Sequence, residues 1–508
     1  MMSSFSFNQS QRQKKSNLLN VFSVLAAVLL VYELFAKTQS FWLNIICITI
    51  TAFALAPSYF WVTGKALGMP VFPLFAMTFI WTYALPLVSD NPNVLFYSVD
   101  QRLFAGFTTI SFLAVGCIVW FLLVRRSRAP MPSPSYRLLV GTGANRVFFL
   151  ALAVSALFNV ATVGGWLGAL ALGGGAFALL RNTVVAITAL SSFVLSYKLG
   201  KEELTKQETS ILSFLLVSFI VSSTLGLLLI AAATVFLTSV AAFVIGRQKV
   251  PVVLLLTVVL CFSFLHAGKA EMRNRYWGTY GQLSYIQPWQ YPVVYAEWID
   301  VSIEAMSNRR EASDYSSASS QTFGDRASVV QMLMMSQSMS PQTVPFLNGY
   351  TYQVLPEMMV PRIIYPNKPW SHEGTFRLNI HYGRQTREQT RRTTIAWGLL
   401  AESYANFGYW GCIGLGFIAG SVYGWVGRLS IYAPILSLQS LVAVFFMTYA
   451  IQSEWTAGVY VAAMTQHGVV LAAMAIFLMK ERPNEQFEMI NRYAHLHRVL
   501  PILQKNRE

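Results

Sequence analysis

Apolar residues run in long blocks along this chain, separated by short polar stretches. About 20 consecutive apolar residues make a helix long enough to cross a hydrocarbon core. Such blocks stand at 18–36, 41–62, 70–88, 103–124, 147–166, 178–197, 250–267, 408–426, 435–451 and 456–479. The block 209–246 is far too long for one span and predicts two helices that turn near Ser222, Ser223, Thr224, Leu225 and Gly226. Twelve membrane helices are therefore expected, in an all-α polytopic membrane protein. No cleavage pattern follows the first block, and the many later spans make it an anchor rather than a removable signal peptide. The expected division is an N-terminal segment 1–17, nine spans over 18–267, a large polar loop 268–394, three spans over 395–479 and a tail 480–508.

Composition supports this class. The chain has 508 residues, of which 55% are hydrophobic and only 12% charged, about half the charged share of a soluble domain. The net charge of +15 raises the question of nucleic acid, and the placement of the charges answers it. If the N-terminus lies in the cytoplasm, 21 of the 37 Lys and Arg fall in cytoplasmic segments, among them Arg125, Arg126, Arg128, Lys480 and Arg482. Short loops on the other side hold Lys37, Arg102 and Arg181, and the remaining 13 lie in the long loop. Basic residues in short loops mark the cytoplasmic side, while long loops are exempt. Both termini are thus expected inside, the loop outside, and no nucleic-acid partner. Cys47, Cys117, Cys261 and Cys412 all lie in apolar runs without metal spacing, so neither a disulfide framework nor a metal is expected.

Candidate chemistry concentrates in 268–394. The stretch 268–300 carries Tyr276, Trp277, Tyr280, Tyr285, Trp289, Tyr291, Tyr295 and Trp298. Such rings favour the membrane–water interface, and their flat amphipathic faces also suit sugar rings; Trp277 and Trp289 are candidates for the latter. The polar run 307–320 reads as a linker, followed by Asp325 and Arg326 and by an apolar VVQMLMM stretch of helical period, fit for a core. From Arg362 to Arg392 there are seven basic residues (Arg362, Lys368, Arg377, Arg384, Arg387, Arg391, Arg392) against Glu373 and Glu388. Topological bias does not explain a basic cluster on the outer side. Guanidinium forks match phosphate oxygens, so a lipid pyrophosphate is one ligand this cluster suits; the alternative is a solvated charge run touching headgroups. Arg181 is a candidate second anion contact beside a glycine-rich turn suited to packing or hinging.

Glu402, at the mouth of a span, is either a general base near the arginines or the partner of one of them in an ion pair. His372, His381 and Asp325 are candidate acids or bases or structural residues, and His372 and Arg326 are also candidate substrate contacts. His372-Glu373 does not continue to HExxH, and no GxxxxGK[ST] exists, which excludes a zincin site and ATP-driven transport. No pair of broken helices is readable, so a transporter signature is weak.

The NGYT turn (348–351), PRIIYPNKP (361–369) and AESYANFGYWG (401–411) together resemble the bacterial oligosaccharide repeat-unit polymerases, the Wzy-type O-antigen and exopolysaccharide polymerases. The resemblance covers about 345–415; elsewhere it rests on span number and the basic outer loop. It implies a GT-C-like fold in the bacterial inner membrane and an inverting, metal-independent glycosyl transfer without a cofactor. Undecaprenyl-pyrophosphate-linked glycans would be donor and acceptor, and a chain-length regulator a further partner. Arg362 and Lys368 match the positions that engage pyrophosphate or glycan. Glu402 takes the acidic place of the ExYxNFG-like motif, with Tyr404 and Asn406 beside it. Arg362, Arg377 and Arg384 would offset charge on the departing pyrophosphate. The related O-antigen ligases share this architecture, and a lipid or glycan transporter is the alternative from another class.

Overall fold

The structure, a computed structural model, describes residues 2–139, 144–170, 174–227, 229–277, 284–311, 328–362, 364–484 and 487. Eleven of its helices are long and apolar enough to cross a membrane, as expected of an all-α polytopic membrane protein. They fall in α1 (Met2–Phe35), α2 (Phe41–Val62), α3 (Val71–Phe79, continued to Val88), α4 (Val99–Val124), α5 (Ala144–Val163), α6 (Gly174–Gly200), α7 (Lys206–Leu225), α8 (Leu229–Arg247), α9 (Val252–Tyr276), α14 (Gly398–Leu429) and α16 (Ala457–Phe477). The long block 209–246 does divide, with α7 ending at Leu225 and α8 starting at Leu229. Local chemistry fixes several starts. The Ser98 and Thr205 side chains accept from Gln101 and Glu208 N–H groups, and those side chains reach back to the cap, satisfying donors that no helical turn can reach.

The eleventh expected span, 435–451, is the exception. α15 (Leu438–Ala450) has 13 residues, about 20 Å of helix against a hydrocarbon core of about 30 Å. Nine of its residues are buried in the bundle, so protein rather than lipid surrounds most of it.

Two breaks shape the interior. In α3 the helix loosens into a π turn at Ile80–Ala84 just before Pro86. Proline has no N–H to offer the carbonyl four residues back, and that carbonyl, Thr82 O, instead accepts the N–H of Val329 at 3.0 Å. In α14 the helix breaks at Gly408 (φ 64°, ψ −154°), a conformation that essentially only glycine adopts. The chain doubles back there. Ser403 Oγ donates to Gly411 O at 2.8 Å and Cys412 Sγ to Leu400 O at 3.6 Å; a continuous helix would hold such pairs about 12 and 18 Å apart. Beyond the break α14 runs along α4 at close range. A Cβ on Gly420 would meet the Gly116 carbonyl at 2.5 Å, the small-residue contact that helices use where lipid gives no hydrophobic drive.

The segment between α9 and α14 is not wholly outside the bundle. Its Met-rich helix α11 (Val330–Met339) packs against α4 and α14 with Val330, Leu333 and Met334 fully buried, which makes that stretch core. At the opposite end of the bundle, β1 (Ser135–Leu139) pairs antiparallel with β2 (Met479–Pro483) and ties the α4–α5 loop to the end of α16.

Candidate functional site

The chain between α9 and α14 forms two parts. The first, 284–311, lies across the ends of four spans. Ile286 N–H donates to Val163 O at 3.0 Å, Tyr295 OH to Val221 O at 2.9 Å and Trp298 Nε1 to Leu265 O at 2.8 Å. Ile286, Val294, Trp298 and Val301 form a small core with Val163, Leu225, Leu229 and Met272. Of the two candidate sugar-stacking residues, Trp277 is covered by the Arg273 guanidinium, 4.2 Å from its ring centroid. Trp289 is 73% exposed. Glu297 accepts from Tyr276 OH at 2.6 Å and from Arg275 at 2.8 Å, and these bonds hold its carboxyl below the usual range.

The second part brings together the motif pieces that are far apart in sequence, with Asn406 as the joint. Its Nδ2 donates to Thr351 Oγ1 and to Glu402 O, both at 2.8 Å, and its Oδ1 accepts from Gly349 N–H at 3.0 Å. Backbone bonds flank it, from Leu347 N–H to Ala405 O at 3.0 Å and from Asn348 N–H to Asn406 O at 3.1 Å. Asn406 and Thr351 are fully buried. The NGYT turn and the AESYANFG stretch are thus one hydrogen-bonded unit. Tyr404 is buried and turns from this joint toward Phe104 and Phe346.

Glu402 is completely buried and pairs with no arginine among the described residues. Its Oε2 accepts from Ala457 N–H, the first residue of α16, at 2.7 Å. Its Oε1 lies 3.5 Å from where a Cβ on Gly374 would stand, in the first turn of α12 (Glu373–His381), and the Thr351 hydroxyl also acts on the carboxyl group. The carboxyl group therefore faces two helix N-termini, whose partial positive charge favours its ionised form against the effect of burial.

The cations surround this unit in distinct settings. Arg362 donates to Pro366 O at 2.9 Å and Pro369 O at 3.1 Å, and lies 5.6 Å from the Trp370 ring. Lys368 is buried and donates to Val360 O at 2.6 Å; burial, then the Arg362 charge, lower its pKa. Both cations thus close their own proline-framed loop on backbone carbonyls. Arg377 donates to Tyr350 O at 2.5 Å, covers the Tyr350 ring at 3.9 Å and lies 3.6 Å from Glu373. Arg387, at the start of α13 (Arg387–Arg392), binds the same carboxylate through two bonds of 3.0 and 3.1 Å. Arg384 is exposed beyond the far end of α12, where its charge acts on Tyr97 against the upward push of burial. His372 occupies the N-cap position of α12 with its ring exposed. The surrounding protein mass, then the charge of Arg181 from α6, hold its pKa below the ordinary value. Arg181 and the loop are therefore neighbours.

Glu373, counted in the sequence only against the basic cluster, Tyr350 and Thr351, named only within the NGYT turn, and the Ala457 N–H are site groups to which sequence reasoning gave no role. Only the i, i+4 spacing of Glu373 and Arg377 carried a signal. Arg326, Asp325 and most of the expected linker 307–320 lie outside the described residues, as do the side chains of Arg391 and Arg392. Among the described residues no group of three His, Cys, Asp or Glu is placed to hold a metal ion. No protein-family model, curated protein or solved structure matches the chain.

Proposed function

We propose that the chain is a membrane glycosyltransferase that joins oligosaccharide units carried on a polyprenyl pyrophosphate, as the Wzy-type polymerases do, at the outer face of a bacterial inner membrane. The observation that carries this reading is the imbalance of charge around the Asn406 joint. Of Arg362, Lys368, Arg377, Arg384 and Arg387, only Arg377 and Arg387 meet a carboxylate among the described residues, and it is the same one, Glu373. Arg181 adds a further positive charge from another helix. A pyrophosphate leaving group would be held and stabilised by such a surface, and a pyrophosphate-linked donor needs no nucleotide site.

Within this reading Glu402 is a positioning residue that sets the starts of α12 and α16, since no solvent reaches it. His372 is the proton acceptor for the attacking hydroxyl: it is exposed, and its lowered pKa keeps the ring neutral near pH 7. His372→Ala and Arg384→Ala should each shorten or abolish polymer while the amount of protein in the membrane stays unchanged. Glu402→Gln, which keeps an oxygen for the Ala457 N–H, should retain polymer. Normal long polymer from both His372→Ala and Arg384→Ala would sink the proposal. Loss of polymer in Glu402→Gln with normal protein level would return the base to Glu402.

A transporter of lipid-linked glycans is the second reading, favoured by the π turn in α3, the reversal at Gly408 and the short buried α11. Discontinuous helices of this kind line binding sites in transporters. The two readings separate on whether a new glycosidic bond forms, and an O-antigen ligase separates from a polymerase on the acceptor used.

A further inference from the structure

The helix α10 (Tyr291–Glu311) carries three faces rather than two. At 100° per residue, Val294, Trp298, Val301 and Ser302 form the face buried against the span ends. Next to it, within an arc of about 80°, stand Pro292, Ala296, Ile299, Ile303 and Met306. All five are exposed, Ile299 at 43%, Ile303 at 54% and Met306 at 47%. The remaining arc holds Asp300, Glu304 and Ser307, also exposed, with one apolar residue, Val293, at the start of the helix. A helix surrounded by water on its free side has no reason to separate apolar from acidic residues there. One lying at the edge of a membrane bundle needs a protein side, a lipid side and a water side.

Position supports the same assignment. The contacts of Ile286, Tyr295 and Trp298 with Val163, Val221 and Leu265 put this part at the ends of α5 and α7 and at the end of the apolar run 250–267 within α9, the depth of the membrane interface if these helices span it. Its main neighbour, α9, is the least covered of the later spans, with 11% of its apolar window buried. Val253, Leu256 and Leu260 of α9 are 79%, 59% and 69% exposed. The apolar strip of α10 thus continues a surface already turned toward lipid, and exposed Trp289 and Tyr285 lie just before it.

We propose that α10 is an in-plane helix of the membrane interface, with its Ile299, Ile303 and Met306 strip seated in the acyl region of the adjacent leaflet and Asp300 and Glu304 in water. The proposal rests on the membrane reading alone, so it and the glycosyltransferase reading fail separately. The test uses the full chain in phosphatidylcholine vesicles, with the exposed Cys261 changed to Ser. Single cysteines at residues 299, 300, 303 and 304 carry an environment-sensitive fluorophore. Labels at 299 and 303 should emit at shorter wavelength and be quenched several-fold more by spin-labelled lipid than those at 300 and 304. Aqueous iodide should show the reverse order. Equal iodide quenching at all four positions would overturn the proposal. So would labels at 299 and 303 shielded from both quenchers, which would mean that a second chain covers the strip.

Discussion

The two parts of the chain between α9 and α14 are held by different forces. Residues 284–311 rest on the span ends through buried side chains, with Trp298 and Val294 filling the space between helices. Residues 328–407 combine buried side chains such as Val330, Leu333 and Met334 with main-chain bonds, from Val329 N–H to Thr82 O, Leu347 N–H to Ala405 O and Gly398 N–H to Glu454 O. Irregular backbone inside a membrane bundle must find internal partners, so the part that enters the bundle adds main-chain hydrogen bonds to its buried apolar core. The part that stays at its rim is seated by buried rings and by mostly side-chain hydrogen bonds. Burial of a ring tolerates adjustment, whereas a buried donor without an acceptor costs about 1–3 kcal/mol.

The sharpest way to break this contrast is at Gly408. Gly408→Val forces a branched side chain into a glycine-only conformation and toward Phe346, whose ring already lies 3.0 Å from an added Cβ. It should cost about 3 kcal/mol or more, read as a large fall in the thermal midpoint of the purified protein. Gly414→Ala, where nothing lies within 4 Å of an added Cβ, should be neutral or stabilising by about 0.5–1 kcal/mol. Next comes the joint itself. Asn406→Ala removes three buried hydrogen bonds and should cost about 2–3 kcal/mol. Gln287→Ala at the rim, which loses bonds to Gly164 O and Trp166, should cost about 1 kcal/mol. Equal losses in denaturant melts would erase the distinction between the two parts.

The smallest effect concerns His372. Its folded pKa lies below the ordinary 6.5, so between the two values the unfolded chain binds more protons. Its contribution to stability is therefore complete above about pH 6.5 and is lost as pH falls toward the folded value. Arg181→Ala should raise the His372 pKa, an upward shift readable by NMR titration, and should reduce that acid loss. An unchanged titration would separate Arg181 from the loop.

Much of the fold was legible because membrane helices announce themselves by length. The division of 209–246 and the core role of VVQMLMM followed from block length and period. Block length could not reveal α15 as too short, since the apolar run 435–451 counts Ile435, Leu436 and Ile451, which flank the helix rather than extend it. The link between NGYT and AESYANFG was readable only as a family pattern, because its physical content is hydrogen bonds between residues 55 and 57 positions apart. The setting of Glu402 was hidden for the same reason: a backbone N–H at Ala457 leaves no trace in side-chain chemistry. The cations show a further limit. Composition counted Arg362 and Lys368 with Arg384, yet the first two close a loop on carbonyls while Arg384 faces solvent.

The most direct measurement places the purified chain in vesicles with a polyprenyl-pyrophosphate-linked oligosaccharide and no nucleotide sugar. A ladder of lengthened lipid-linked glycans, lost in His372→Ala, is the result that glycosyl transfer at this site predicts. Glycan that crosses the bilayer unchanged in length, with no new glycosidic bond, would contradict it.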